Sequence, residues 1–184
     1  MRQPPPKDVL LAAVARGRAA WGPPPAGLRI ETPGPGQESV WDYPRPPRFE
    51  AVPEPVAVVF NGVTLARTEE AWRMCETAGA LRPRDGWTVC EWKGLCTYFD
   101  IVCGDAVAEG AAYTYPDPLD DLDPNYARLA EMVSVYPGAM SALPGDGCYV
   151  SGEPARPQPG GYYGGWVLDR VTGPIKGLPG SEGW

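Results

Sequence analysis

The chain is expected to fold as a mainly β protein, a small antiparallel domain with two or three short helices and a Pro-rich N-terminal arm. Three observations predict this class. About seven or eight short runs rich in Val, Ile, Tyr, Phe and Trp are set apart by turn residues. Glycine (23) and proline (24) make up about a quarter of the 184 residues, enough to punctuate the whole chain. Yet 43% of it is hydrophobic, with 7 Trp and 9 Tyr, an aromatic content that a disordered chain lacks.

Taken in order, Asp8 is a suitable N-cap for a helix over residues 9–20, which Gly22-Pro23 ends; residues 1–22 form an amphipathic N-terminal unit. Residues 23–55 are dominated by Pro, Gly and charge. Proline removes backbone donors and fixes φ, so this stretch reads as an extended arm, docked on the domain through Trp41 and Tyr43. The compact domain is expected over residues 56–184. It opens with VAVVF-NG-VTLAR, a hairpin in which Asn61-Gly62 supplies the positive φ values of a type I′ turn. Thr68 then resembles an N-cap with Glu69 and Glu70 in the first turn. The expected helix runs to Thr77 with Ala71, Trp72 and Cys75 on one face, and Gly79 ends it.

Residues 90–105 form the centre of the chain. They read as two strands folded about Lys93-Gly94, with a second turn at Gly104-Asp105. Alternation puts Val89, Glu91 and Lys93 on one face and Cys90 and Trp92 on the other. In the next strand Leu95, Thr97, Phe99, Ile101 and Cys103 share a mostly apolar face. Further strands are expected over 107–115, 132–136, 148–150 and 162–168, with a short helix over 124–130 started by Asp123-Pro124.

The formal charge of −7 argues against nucleic acid or an anionic membrane as partner. No segment approaches the ~18 apolar residues of a membrane span, and the N-terminus does not read as an export signal. Cys75, Cys90, Cys96, Cys103 and Cys148 are therefore expected as thiols in the cytoplasm. The absence of histidine excludes Cys-His dyads and Ser-His-Asp triads. Without His or any C-x-x-C pair the cysteines do not make a zinc site, and the acidic loop Asp117, Asp120, Asp121 and Asp123 lacks the spacing of a calcium loop. QPGGYYGGW carries no Walker lysine. No cofactor or metal is expected.

What remains is an aromatic cleft with a few polar groups, the usual composition of a small-ligand site. Trp92, Tyr98, Tyr113, Tyr115, Tyr162 and Trp166 are its candidate walls. Glu91, Lys93 and Glu109 supply polar recognition or acid–base function, with Cys90 as a nucleophile if Lys93 or a turn's backbone donors lower its pKa. Two other classes stay open: a non-catalytic protein-interaction module using the arm's Trp41 and Tyr43, and a thiol redox enzyme using Cys90.

The ordered motifs GQESVWDYPRPPR, VVFNGVTLA, CEWKG, YPDP, VYPG, QPGGYYGGW, GPIKG and PGSEGW resemble the bacterial domain of unknown function 427 family, from residue 36 to residue 184. The resemblance implies a β-tent, similar to the cereblon ligand-binding domain and methionine sulfoxide reductase B, and leaves the activity unassigned. Cys90, Glu91, Trp92, Lys93, Gly94 and Tyr98 match the central motif, and Lys176 of GPIKG joins the ligand-binding set. Members carry Glu-Thr-Ser-His where this chain has Glu76-Thr77-Ala78-Gly79, and Glu-Asn where it has Glu109-Gly110. The two cysteine pairs of metal-carrying β-tents are absent.

Overall fold

The computed structural model describes residues 4–75, 86–161, 163–179 and 181. Helix α1 (Lys7–Ala19) starts two residues earlier than Asp8 predicts. Pro6 occupies the cap position without a side-chain cap, and Asp8 lies inside the first turn, where the dipole favours a carboxylate. The strands that follow are β1 (Glu38–Ser39), β2 (Arg48–Val52), β3 (Val56–Phe60), β4 (Val63–Thr68), β5 (Ala71–Cys75), β6 (Trp87–Cys90) and β7 (Gly94–Cys103). Then come β8 (Ala106–Pro118), β9 (Ser134–Val135), β10 (Gly147–Val150), β11 (Glu153–Pro154), β12 (Arg156–Pro157), β13 (Trp166–Val167) and β14 (Val171–Thr172). The protein is mainly β, as its turn-punctuated sequence predicts.

Two four-stranded sheets, β11-β10-β3-β4 and β6-β7-β8-β9, are joined by the smaller pairs β2-β5, β12-β13 and β1-β14. All pair antiparallel except β1 with β14. The Asn61-Gly62 turn forms as expected, with φ of 51° and 71°. Asp146 holds it from across the sheet by accepting the amides of Asn61 and Gly62 at 2.8 and 2.9 Å. Residues 38–52 contribute strands rather than plain extended chain: Glu38 lies opposite Val171, and the Trp41 indole donates to the Pro174 carbonyl at 3.1 Å.

Three local expectations are corrected. The stretch after Thr68 is strand β5, not a helix. The Thr68 hydroxyl does accept the Glu70 amide at 3.0 Å, but the next five residues pair one for one with β2, and that ladder overrides the cap signal. Strand alternation then sends Trp72 onto Phe49, ring centroids 4.9 Å apart, while Arg73 faces Glu38 and Glu50. The expected helix end at residues 77–79 lies outside the described residues. Second, β6 stops at Cys90, so residues 91–93 form the turn itself and Gly94, at φ 91°, opens β7. Third, β13 covers only Trp166–Val167, not 162–168.

The long β7–β8 hairpin serves two cores. Its upper half gives Cys96 and Tyr115 to an aromatic core with Phe49, Trp92 and Tyr126; its lower half gives Ala108 and Ala111 to an aliphatic core with Val58, Phe60 and Cys148. A register shift between Phe99 and Ile101 changes which residues point inward. Above it Cys96 and Tyr98 face the aromatic core, and below it Ile101 and Cys103 pack on the aliphatic one. The expected single apolar face from Leu95 to Cys103 therefore does not exist. Phe99 is exposed, and Gly110, at φ 59°, accommodates the bulge with its amide bonded to Asp100 at 2.6 Å.

Candidate functional site

The β6–β7 turn is buried, which is unusual for a tight hairpin turn. Trp92 and Lys93 are 7% and 8% exposed. Helix α1 provides the cover. Gly17 meets the turn so closely that an added Cβ would stand 2.6 Å from Glu91 Cβ. Arg18 Nε donates to the Glu91 carbonyl at 2.8 Å, and its two terminal nitrogens grip Asp121 at 2.7 and 3.0 Å. Trp21 Nε1 donates to the Glu91 carboxylate at 2.7 Å.

Around this turn the aromatic side chains converge. The Trp21 and Trp92 ring centroids are 6.4 Å apart, and Lys93 Nζ stands 5.6 Å from the Tyr115 centroid. Tyr113 packs edge-on against Tyr115 at 6.2 Å. Arg45 lies over Trp21 at 4.1 Å, and Lys176 reaches both Trp21 and Tyr163 at 5.6 and 5.8 Å, within cation–π range. Beneath them Thr88 Oγ1 and the Tyr98 hydroxyl share a 2.5 Å hydrogen bond. Burial raises the pKa values of the Cys96 thiol and the Tyr98 hydroxyl, so both are neutral near pH 7.

One polar atom in this cluster stands apart. Trp92 Nε1 is buried and finds no hydrogen-bond acceptor among the described residues. Leaving such a donor unmet costs about 1–3 kcal/mol. An indole in a purely structural role is more often satisfied.

The structure thus brings together Glu91, Trp92, Lys93, Tyr98, Tyr113, Tyr115 and Lys176, with Cys90 buried just before the turn. It places Glu109 at the β8 bulge, exposed and roughly 20 Å along the strand from Tyr115 at ~3.3 Å per residue. Trp166 packs on the aliphatic core with its indole donating to the Val135 carbonyl at 2.8 Å. Tyr162 lies outside the described residues. Arg18, Trp21, Arg45 and Asp121 belong to the site and were not singled out for it from the sequence. A lone Trp just past the helix end, one turn after Arg18, is the signal that could have pointed to Arg18 and Trp21; Arg45 and Asp121 carried none.

A model of a domain of unknown function (DUF427) matches residues 48–146, more than half of the chain. The chain belongs to this family. No curated protein matches. The DUF427 match contains Cys90, Glu91, Trp92, Lys93, Tyr98, Tyr113, Tyr115 and Asp121, whereas Arg18, Trp21, Arg45, Tyr163 and Lys176 lie outside it. In this DUF427 member the site is therefore built from both.

A second polar cluster lies elsewhere. Arg73 bonds Glu38 and Glu50, Arg48 bonds Glu50, and Arg170 bonds Glu54, around an open cavity of about 330 Å³. These partners come from β1, β2, the β2–β3 turn, β5 and the turn before β14, so the cluster reads as a clasp between elements. Among the described residues no group of three or more His, Cys, Asp or Glu is arranged to hold a metal, and no helix is long and apolar enough to cross a membrane.

Proposed function

We propose that the protein binds a small polar or heteroaromatic molecule at the buried residue 91–93 turn. Its hydrogen-bond acceptor would meet Trp92 Nε1, and its ring would lie among Trp21, Trp92 and Tyr115. The carrying observation is the Trp92 donor: a folded chain that leaves it unmet gains by presenting it to a ligand. Lys93 and Lys176 add polar recognition at the same aromatic walls. The Glu91 carboxylate is committed to Trp21 and its backbone carbonyl to Arg18, which favours a positioning role for it over proton transfer.

Trp92→Phe tests this directly, because it removes the donor and keeps most of the ring. Native mass spectrometry of the purified protein, with thermal-shift titration of nucleobases and pyridine carboxylates, reads the binding. The expected result is binding by the wild type and at least a tenfold loss in Trp92→Phe, with the melting temperature held within a few degrees. Equal binding by both proteins overturns the reading.

A further inference from the structure

The cover over the turn has weak apolar attachment. Val14 is the only buried side chain of α1, while Val9 and Leu11 on the same helix are 49% and 44% exposed. What fixes it is concentrated in a few residues: the Arg18 fork on Asp121, Arg18 on the Glu91 carbonyl, and Trp21, which bonds the Glu91 carboxylate and sets its ring among Trp92, Arg45 and Lys176. The Arg18–Asp121 pair sits at the rim, with side chains 23% and 53% exposed, where salt screens it. Immediately after Trp21 comes Gly22, whose Cα faces open space, and then the Pro-rich arm. A helix with one buried apolar residue, polar anchors and a glycine behind it has the makings of a unit that opens without global unfolding.

Its position gives that opening a consequence. α1 and Trp21 lie over Glu91 and Trp92, and Arg18 stands 5.8 Å from the Trp92 ring. We propose that α1 and Trp21 form a strap that closes over the residue 90–94 turn and opens as a unit, with the Arg18–Asp121 pair as its latch. This rests on the reading that the Trp92 cluster is the ligand site, for which the strap sets access. The strap lies wholly outside the segment matched by the family model.

Hydrogen–deuterium exchange on the full chain at neutral pH tests the strap without any ligand, so its failure is separable from failure of the binding reading. Wild type, Asp121→Asn and the milder Arg18→Lys are compared at low salt and in 1 M NaCl. Alkylation of Cys90 by N-ethylmaleimide is followed in parallel, because that thiol is 4% exposed beneath the strap. The expected result is a tenfold or greater acceleration of exchange over residues 7–21 and 91–94 in Asp121→Asn and in high salt, with Cys90 labelling accelerated alongside and a smaller change in Arg18→Lys. Amides of β10 keep the wild-type rate. Unchanged exchange over residues 7–21 overturns the proposal. So does acceleration that includes β10 in both variants, because the helix would then open only with the whole fold.

Discussion

Replacing Gly17 with alanine sets two effects of opposite sign against each other. In an isolated helix the change is favourable by about 0.8–1 kcal/mol, because glycine loses the most backbone entropy on ordering. In the folded protein the new Cβ would stand 2.6 Å from Glu91 Cβ and 3.7 Å from Glu91 Cα. Carbon atoms pack at about 3.5–4.0 Å, so α1 has to retreat by roughly 1 Å. That retreat stretches Arg18 Nε to the Glu91 carbonyl from 2.8 Å, and Trp21 Nε1 to its carboxylate from 2.7 Å, beyond hydrogen-bonding range. Overpacking of this kind costs about 1–3 kcal/mol, so the docked helix is destabilised by roughly 0–2 kcal/mol despite its better propensity. Exchange of the residue 7–21 amides measures the local effect, and urea unfolding measures the global one. A stabilisation of about 1 kcal/mol with those amides still protected would refute the packing argument.

Other perturbations follow from the same geometry. Tyr126→Phe removes a buried hydroxyl that donates to the Pro47 carbonyl, and is expected to cost about 1–2 kcal/mol in urea unfolding; a neutral result would mean the bond contributes nothing net. Of the four described thiols, half-buried Cys103 should react first with N-ethylmaleimide in the folded protein. Cys148, pushed up to about 12 by burial, and Cys96, raised for the same reason, should react only on unfolding; equal rates for Cys103 and Cys148 would contradict their burial. The Glu50 carboxyl is held below its ordinary value by hydrogen bonds from Arg48 and Arg73 against partial desolvation, and Glu54 by Arg170. Because both folded values are lowered, their stabilisation is complete above the ordinary carboxylate value near 4.5 and is lost as pH falls through the lowered ones. The loss is on the order of 0.2–1 kcal/mol per exposed pair, and Arg73→Met should flatten the acid side of the stability profile; an unchanged profile would remove these pairs from the account.

What the sequence revealed and what it concealed divide along the range of the interactions involved. The Asn61-Gly62 turn and the β7–β8 hairpin depend on neighbours within a few residues and were legible, as was the presence of a tight turn within residues 90–94, though not that residues 91–93 form it. The fate of residues 71–75 was not. Thr68, Glu69 and Glu70 make a sound local helix start, yet β2 offers Trp72 a partner in Phe49 and Arg73 a partner in Glu50, and no local signal reports that. The reversal of faces along β7 was hidden in one residue pair, Asp100 and Gly110, on opposite strands of a bulge. The site shows the same division. Glu91, Trp92 and Lys93 stood out as a motif, but a polar hairpin turn is exposed by default, and its burial comes from Arg18 and Trp21, whose partners lie 70 to 103 positions away. At the end of α1 and just past it, those residues look like the solvated edge of a small helix. Only the packing of Gly17 on Glu91 turns that edge into a cover, and with it an ordinary tryptophan at a turn becomes a buried donor with no acceptor among the described residues.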